Sequence, residues 1–315
     1  MKSGVISLGE ALIDFIPMDE TNLVYQKSPG GAPANVSVGV ARLGLPSAFL
    51  GKVGQDILGK FLKETLEGYG VNTTTMAMSE EARTGVVFVT LGEGGERSFD
   101  FYINPSADTF LSTGDIKESD FNSARILHFG SISLIHEPSK SATLKAIELA
   151  KKNGVLISYD PNLRLGLWES EEQAKESIME LLSEADILKI SEEELEFLTG
   201  EKEIDKGIEK LAPYHIPFIA ITLGAEGSVL VTQAGKVEVS AMKVEAVDTT
   251  GAGDAFVSGM LYCLHEREKG LEDWSLEEMK ELGRFASVSG ALAASTKGAM
   301  TALPTLEEVR TILSR

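Results

Sequence analysis

Residues 247–256 read V-D-T-T-G-A-G-D-A-F, and the chain continues V-S-G-M-L-Y-C-L. Phe256, Met260, Leu261 and Leu264 fall on one face of a helix at this spacing. Gly251, Ala252 and Gly253 therefore stand at a helix N-terminus, where unsatisfied N–H groups and the helix dipole favour an anion. Asp254 follows in the first turn, although a carboxylate repels phosphate. Two roles fit it. It offsets the dipole, as acids in first turns commonly do. Alternatively, it accepts the proton of a hydroxyl that attacks a phosphoryl group held by the N–H groups beside it.

The elements that must hold this loop alternate along the chain. VISLG (5–9), SAFLGKVG (47–54), ILHFGS (126–131), VLISYDPN (155–162), ILKIS (187–191) and FIAITLG (218–224) read as buried strands of a parallel sheet. KVEAVD (243–248) reads as a strand leading into the loop. Helical patterns lie between the strands at 32–44, from Asp56 as N-cap to 70, at 138–154 and at 170–185. This alternation predicts a three-layer α/β fold. Two segments break the rhythm, at about 11–28 and 83–104. Each offers two strand-like pieces with no helix between them, the second as a hairpin around GEGGE. Together they predict a small β-sheet lid inserted into a single domain spanning 1–315, with extra edge strands of the main sheet as the alternative.

Bulk properties narrow the function. A chain of 315 residues with 43% hydrophobic content fills a sizeable core. Its net charge of −19 argues against nucleic acid and anionic membrane as partners, but leaves room for a small phosphorylated ligand in a local pocket. The single Cys263 forms no internal disulfide, and no apolar run is long enough to span a bilayer. The expectation is a cytoplasmic protein. Gly54 to Lys60 imitates the start of a P-loop, but Phe61 stands where a Ser or Thr must meet magnesium. The first strand lacks the G-x-G-x-x-G that a nicotinamide-dependent oxidoreductase needs.

D-T-T-G-A-G-D-A-F resembles the C-terminal signature of the ribokinase-like, or PfkB, carbohydrate kinases, and G-G-A-P-A-N-V (30–36) resembles their N-terminal signature. The resemblance covers essentially the whole chain and implies a ribokinase-like α/β/α sandwich with a small β-sheet lid. It implies ATP and Mg2+ as cofactors, with potassium as an optional third, and a sugar as acceptor. Asp254 becomes the base, and Gly251, Ala252 and Gly253 the anion hole. Gly30, Gly31, Asn35 and Asp14 become sugar ligands, with Asn162 nearby. Arg164, in D-P-N-L-R, approaches the transferred phosphate, where a guanidinium can neutralise two oxygens. By itself it is an ordinary loop arginine. Phe99 and Phe101 alternate with polar residues, so one face is available either to cover the sugar or to build lid core.

The resemblance also assigns a nucleotide loop, T-L-G-A-E-G-S, with Thr222, Gly224 and Gly227 near ATP and with Lys189, Lys297 and Gly298 bordering it. Glu194 orders magnesium through water, although Ser191 replaces the Asn usual in Asn-x-x-Glu. Asp248 stands where some relatives hold potassium. Stretches such as GEALIDFIP, ARTGVVFVTL and SYDPNLRLGLWES are similar to fructokinases, which implies D-fructose converted to fructose 6-phosphate. One departure is Ile103, where fructokinases often carry Arg. Ketodeoxygluconate kinase is the alternative within the class, and a non-catalytic sugar-binding regulator the alternative outside it. The lid offers a surface for a homodimer.

Overall fold

The computed structural model describes residues 2–92, 97–267 and 269–314. Seven strands pair in parallel: β1 (Val5–Leu8), β4 (Ser47–Gly54), β5 (Met76–Ser79), β8 (Ile126–Phe129), β9 (Leu156–Tyr159), β10 (Ile187–Ser191) and β11 (Phe218–Thr222). An antiparallel hairpin, β12 (Gly227–Thr232) and β13 (Gly235–Ser240), extends the β11 edge, giving the order β13-β12-β11-β10-β9-β8-β1-β4-β5. That hairpin went unread in the sequence, although Q-A-G separates two alternating runs.

Helices cover both faces because the strands are apolar on both. Ile6 and Leu8 point into a core shared with α3 (Ser139–Lys152), α4 (Glu171–Glu180), α5 (Glu192–Thr199) and α6 (Ile204–Leu211). Val5 points the other way, into a core shared with α1 (Ala32–Arg42), α7 (Ala252–Glu266), α8 (Leu276–Ala294) and α9 (Leu306–Leu313). Helix α2 (Ile57–Gly68) begins at Asp56, whose carboxylate accepts from the Leu58 and Gly59 N–H groups, as a capping acid should.

Residues 243–248 do not form the expected strand. The Val247 and Asp248 N–H groups donate to Ala294 O at the end of α8, and Val244 and Val247 remain exposed. With a helix end as its hydrogen-bond partner, the alternation from Val244 to Val247 buries no apolar side chain.

Strands β2 (Leu12–Pro17), β3 (Tyr25–Gly30), β6 (Gly85–Leu91) and β7 (Arg97–Phe101) form a separate sheet in the order β3-β2-β6-β7. Residues 93–96 of the expected hairpin turn lie outside the described residues. Register sorts the faces of this sheet. Asp14 lies opposite Ser28 and Val87, Val87 opposite Phe101, and Val89 opposite Phe99, so Asp14, Phe99 and Phe101 share one face. On the other face, Ile13 and Phe15 pack with Leu58, Phe61 and Leu62 of α2, and Phe15 stacks on Phe88 at 5.0 Å.

The chain leaves β1 for β4 and later returns to β8 on its other side. This reversal puts a crevice at the C-terminal ends of β1 and β8, where open α/β sheets bind ligands. Helices α1 and α7 close one wall of it. A Cβ on Gly39 of α1 would lie 2.2 Å from Ser258 Oγ of α7, so only glycine permits this approach.

Candidate active site

Gly251 caps α7 in the left-handed conformation (φ 78°), and a Cβ there would crowd Ala299 Cα at 3.2 Å. Among the three small residues ahead of Asp254, the Ala252 N–H donates to Thr249 O (3.2 Å), whereas Gly253 is exposed. The close packing of α1 on α7 brings Asn35 Nδ2 to 2.7 Å from Asp254 Oδ2, across 219 positions of sequence. Burial pushes the Asp254 carboxyl up to about 6. The Asn35 hydrogen bond opposes the rise, Asp160 adds to it, and Lys189 and Arg164 hold it back.

Around this pair lie the other acceptor-side residues. Gly30 ends β3 directly over Asp14, and a Cβ on it would sit 2.1 Å from Asp14 Oδ2. Gly31 has φ 101°, and its Cβ would meet Glu10 O at 2.5 Å. The two glycines therefore make room for a carboxylate and for the turn into α1. Asp14 is raised to about 7, first by burial; the Arg164 charge lowers it and Asp254 raises it. Asn162 holds a left-handed backbone (φ 46°) in a turn closed by its N–H to Asp160 Oδ1 at 3.2 Å.

Arg164 is exposed, with Nη1 donating to its neighbour Leu163 O, and lies near enough to bias both Asp14 and Asp254. It lines a groove of about 450 Å³ together with Asn162, Lys189, Ser191, Glu193 and Glu194. Lys189 is buried and pairs with Asp160 (Nζ–Oδ2 3.1 Å). Burial works against its charge, but Asp160 and then Glu194 outweigh it and hold the ammonium above its ordinary range.

The Glu194 carboxylate accepts from Leu163 N–H (2.7 Å) and Ser191 N–H (2.8 Å), while Ser191 Oγ caps α5. Serine in place of asparagine thus completes a capping box. Each Glu194 oxygen keeps a lone pair for a further donor, which suits a water-mediated contact to a cation. Among the described residues, no three His, Cys, Asp or Glu side chains gather as a metal site.

Thr222 is the register partner of Ser191, so the ends of β10 and β11 lie side by side. Gly224 (φ 55°) has open space around it. Gly227 differs, because its Cβ would be 2.0 Å from Val239 O, so the approach of β13 already demands glycine there. Asp248 is buried; its two carboxylate oxygens accept from Thr250 N–H (3.0 Å) and Gly298 N–H (3.2 Å), tying the loop before α7 to the segment after α8. Lys297 beside it is exposed.

Three residues of this region were not singled out in the sequence: Glu10, His128 and Asp160. The signal available for Asp160 was Lys189 itself, since a lysine inside the buried run I-L-K-I-S requires a buried partner. Nothing local marked Glu10 or His128.

The chain matches the pfkB family carbohydrate kinase profile over residues 2–306. It is 43% identical to the probable fructokinase-4 of Arabidopsis thaliana over 319 aligned residues, covering 99% of this chain and 97% of the relative. A double mutant of the fructokinase from Vibrio cholerae O395, solved in its fructose-, ADP- and potassium-bound form, superposes with a TM-score of 0.91 at 41% identity, covering 99% and 98% of the two chains. The aminoimidazole riboside kinase of Salmonella enterica, complexed with aminoimidazole riboside and an ATP analogue, superposes with a TM-score of 0.85 at 33% identity, covering 99% and 100%.

Proposed function

Because the chain belongs to the pfkB family of carbohydrate kinases, we propose that it transfers the γ-phosphoryl group of ATP to the 6-hydroxyl of D-fructose. The observation that carries this reading is the Asp254 carboxylate, held by Asn35 at 2.7 Å in the first turn of α7 beside the Gly251–Gly253 turn. The new bond joins fructose O6 to phosphorus as the bond to the bridging oxygen of ADP breaks, and Asp254 takes the O6 proton. The Gly251–Gly253 loop and the α7 dipole meet the developing charge, the Ala252 N–H turning from Thr249 O to do so. Arg164 neutralises the transferred oxygens. Asp14, Asn35 and Asn162, with the backbone at Gly30 and Gly31, orient the sugar. That relatives at 43% and 41% identity are fructokinases supports fructose as the acceptor.

Glu194 would hold Mg2+ through water, and the ion would supply charge neutralisation for the phosphates of ATP. Thr222, Gly224, Gly227, Lys189, Lys297 and Gly298 border the nucleotide, and a potassium ion belongs beside Asp248. The small sheet is the lid, with Phe99 and Phe101 on its sugar-facing side. An ATP donor suits an enzyme of the cytoplasm. No described helix is long and apolar enough to cross a membrane.

ADP release should be measured with Mg2+ and ATP across fructose, ribose, ketodeoxygluconate, tagatose, adenosine, aminoimidazole riboside and glucose. The expected result is a kcat/KM for fructose about tenfold or more above any other. A better acceptor overturns the sugar, and no turnover overturns the kinase. Activity should also depend on pH. The base works only when deprotonated, so kcat/KM should rise through about pH 6 and fall about tenfold per unit below it. A profile flat down to pH 5 contradicts the assignment of the base.

Leu23, Val24 and Tyr102 of the small sheet and its loops are exposed at 82%, 59% and 68%. Exposed apolar side chains on a sheet with two open edges suit a second copy of this chain. Light scattering at micromolar concentration should therefore report a dimer that Leu23→Asp weakens, and a monomeric wild type rules this out.

A further inference from the structure

Asp254 borders a small space also lined by Glu10, His128, Gly130, Ser131, Asp160 and Asn162. Its volume is about 10 Å³, room for one water-sized oxygen and nothing larger. Ser131 is fully buried, and its hydroxyl has no hydrogen-bond partner among the described residues. Its backbone is fixed, with the N–H donating to Pro161 O at 3.0 Å. Glu10 follows β1 and is 5% exposed, with Oε1 held by the Ala32 N–H at 3.1 Å at the start of α1. One ring nitrogen of His128 is occupied, its Nδ1 3.1 Å from Ser158 Oγ.

We propose that Glu10 and Ser131 form a subsite for one hydroxyl of the acceptor, distinct from the hydroxyl that is phosphorylated, and that they thereby set which acceptors are turned over. The proposal rests on the sugar-kinase reading above and adds two sugar-binding residues to it. The chemistry of the space selects a hydroxyl. Burial, opposed by backbone N–H groups and reinforced by Asp108 and Asp254, pushes the Glu10 carboxyl up to about 8. At neutral pH it is therefore protonated and donates a hydrogen bond, and the Ser131 hydroxyl both donates and accepts. A sugar hydroxyl, which also does both, satisfies the pair. An anionic oxygen meets the nearby Asp254 charge, and an apolar group leaves Ser131 unpaired. The ring itself stays in the open crevice, because the space admits one oxygen only.

The test combines enzyme variants with substrate deletions. Wild type, Ser131→Ala, Glu10→Gln and Glu10→Ala are assayed with fructose and with its 1-, 3- and 4-deoxy forms. For wild type, one deoxy sugar should lose about 10- to 100-fold in kcat/KM relative to fructose. In Ser131→Ala and Glu10→Ala that penalty should shrink to about threefold or less, while the penalties for the other two deoxy sugars stay at wild-type values. Glu10→Gln, which keeps an acceptor for the Ala32 N–H, should fall between. Equal penalties in wild type and variants, or one uniform loss for every sugar, overturn the proposal and leave the space to a water.

Glu10 also supports the start of α1, so its variants are checked by thermal melting and ATP binding. Ser131→Ala removes one oxygen and carries the test if the Glu10 variants unfold. If wild type does not phosphorylate fructose, the proposed function fails. The subsite is then judged by calorimetric binding of fructose and its deoxy forms to the same variants, read by the same ratios.

Discussion

Asp254→Asn is expected to lower kcat by about 10²–10⁴ while leaving the affinities for sugar and ATP within about threefold of wild type. The amide has the shape of the carboxylate, and its oxygen still accepts from Asn35 Nδ2, so the wall formed by α1 and α7 keeps its geometry. What is lost is the ability to take a proton. The competing role, an acid that merely offsets the helix dipole, predicts a different pattern. It changes stability by about 0.3–1 kcal/mol and leaves turnover alone. Single-turnover rates and melting curves on the same variant separate the two. Unchanged turnover removes Asp254 from the chemistry.

Arg164→Ala is expected to reduce kcat by about 10³, the lower end of the range over which a guanidinium stabilises phosphoryl transfer, with the KM for the sugar moving less than about threefold. The side chain is exposed and, among the described residues, donates to its own neighbour's carbonyl, so truncation should spare the fold. A second readout follows from its field. The Arg164 charge holds Asp254 down, so its loss should move the acidic limb of the pH profile above about 6. Arg164→Lys should restore the limb, since a charge suffices for that, but only part of kcat, since an ammonium cannot engage two oxygens bidentately. A larger loss in sugar affinity than in kcat refutes the role.

The fold and half of the site were legible because they rest on local signals. Parallel strands buried on both faces are continuous apolar runs, and β1 and β8 to β11 are read directly from them. The turn into α7 is legible because glycine just before a helical pattern marks a backbone with positive φ, which Gly251 adopts. The misreading at 243–248 has the same root. Alternation in V-E-A-V marks a strand only if a neighbouring strand stands beside it, and here the partner is the carbonyl of Ala294. The β12–β13 hairpin was missed through its short turn, although Gly227 and Gly235 both carry positive φ.

By itself the sequence determined the order of the layers, the helix start that carries Asp254 and the residue types around it, because each depends on neighbours within one or two turns of chain. Tertiary structure alone decided which charges meet. Asn35 reaches Asp254 only because Gly39 lets α1 approach α7. Lys189 is neutralised by Asp160 because β9 and β10 are adjacent. Glu10 faces Ser131 because the chain crosses over and sets β8 beside β1. Such contacts join residues tens to hundreds of positions apart. Their energies depend on burial and on distances of a few ångströms, which no spacing along the chain encodes.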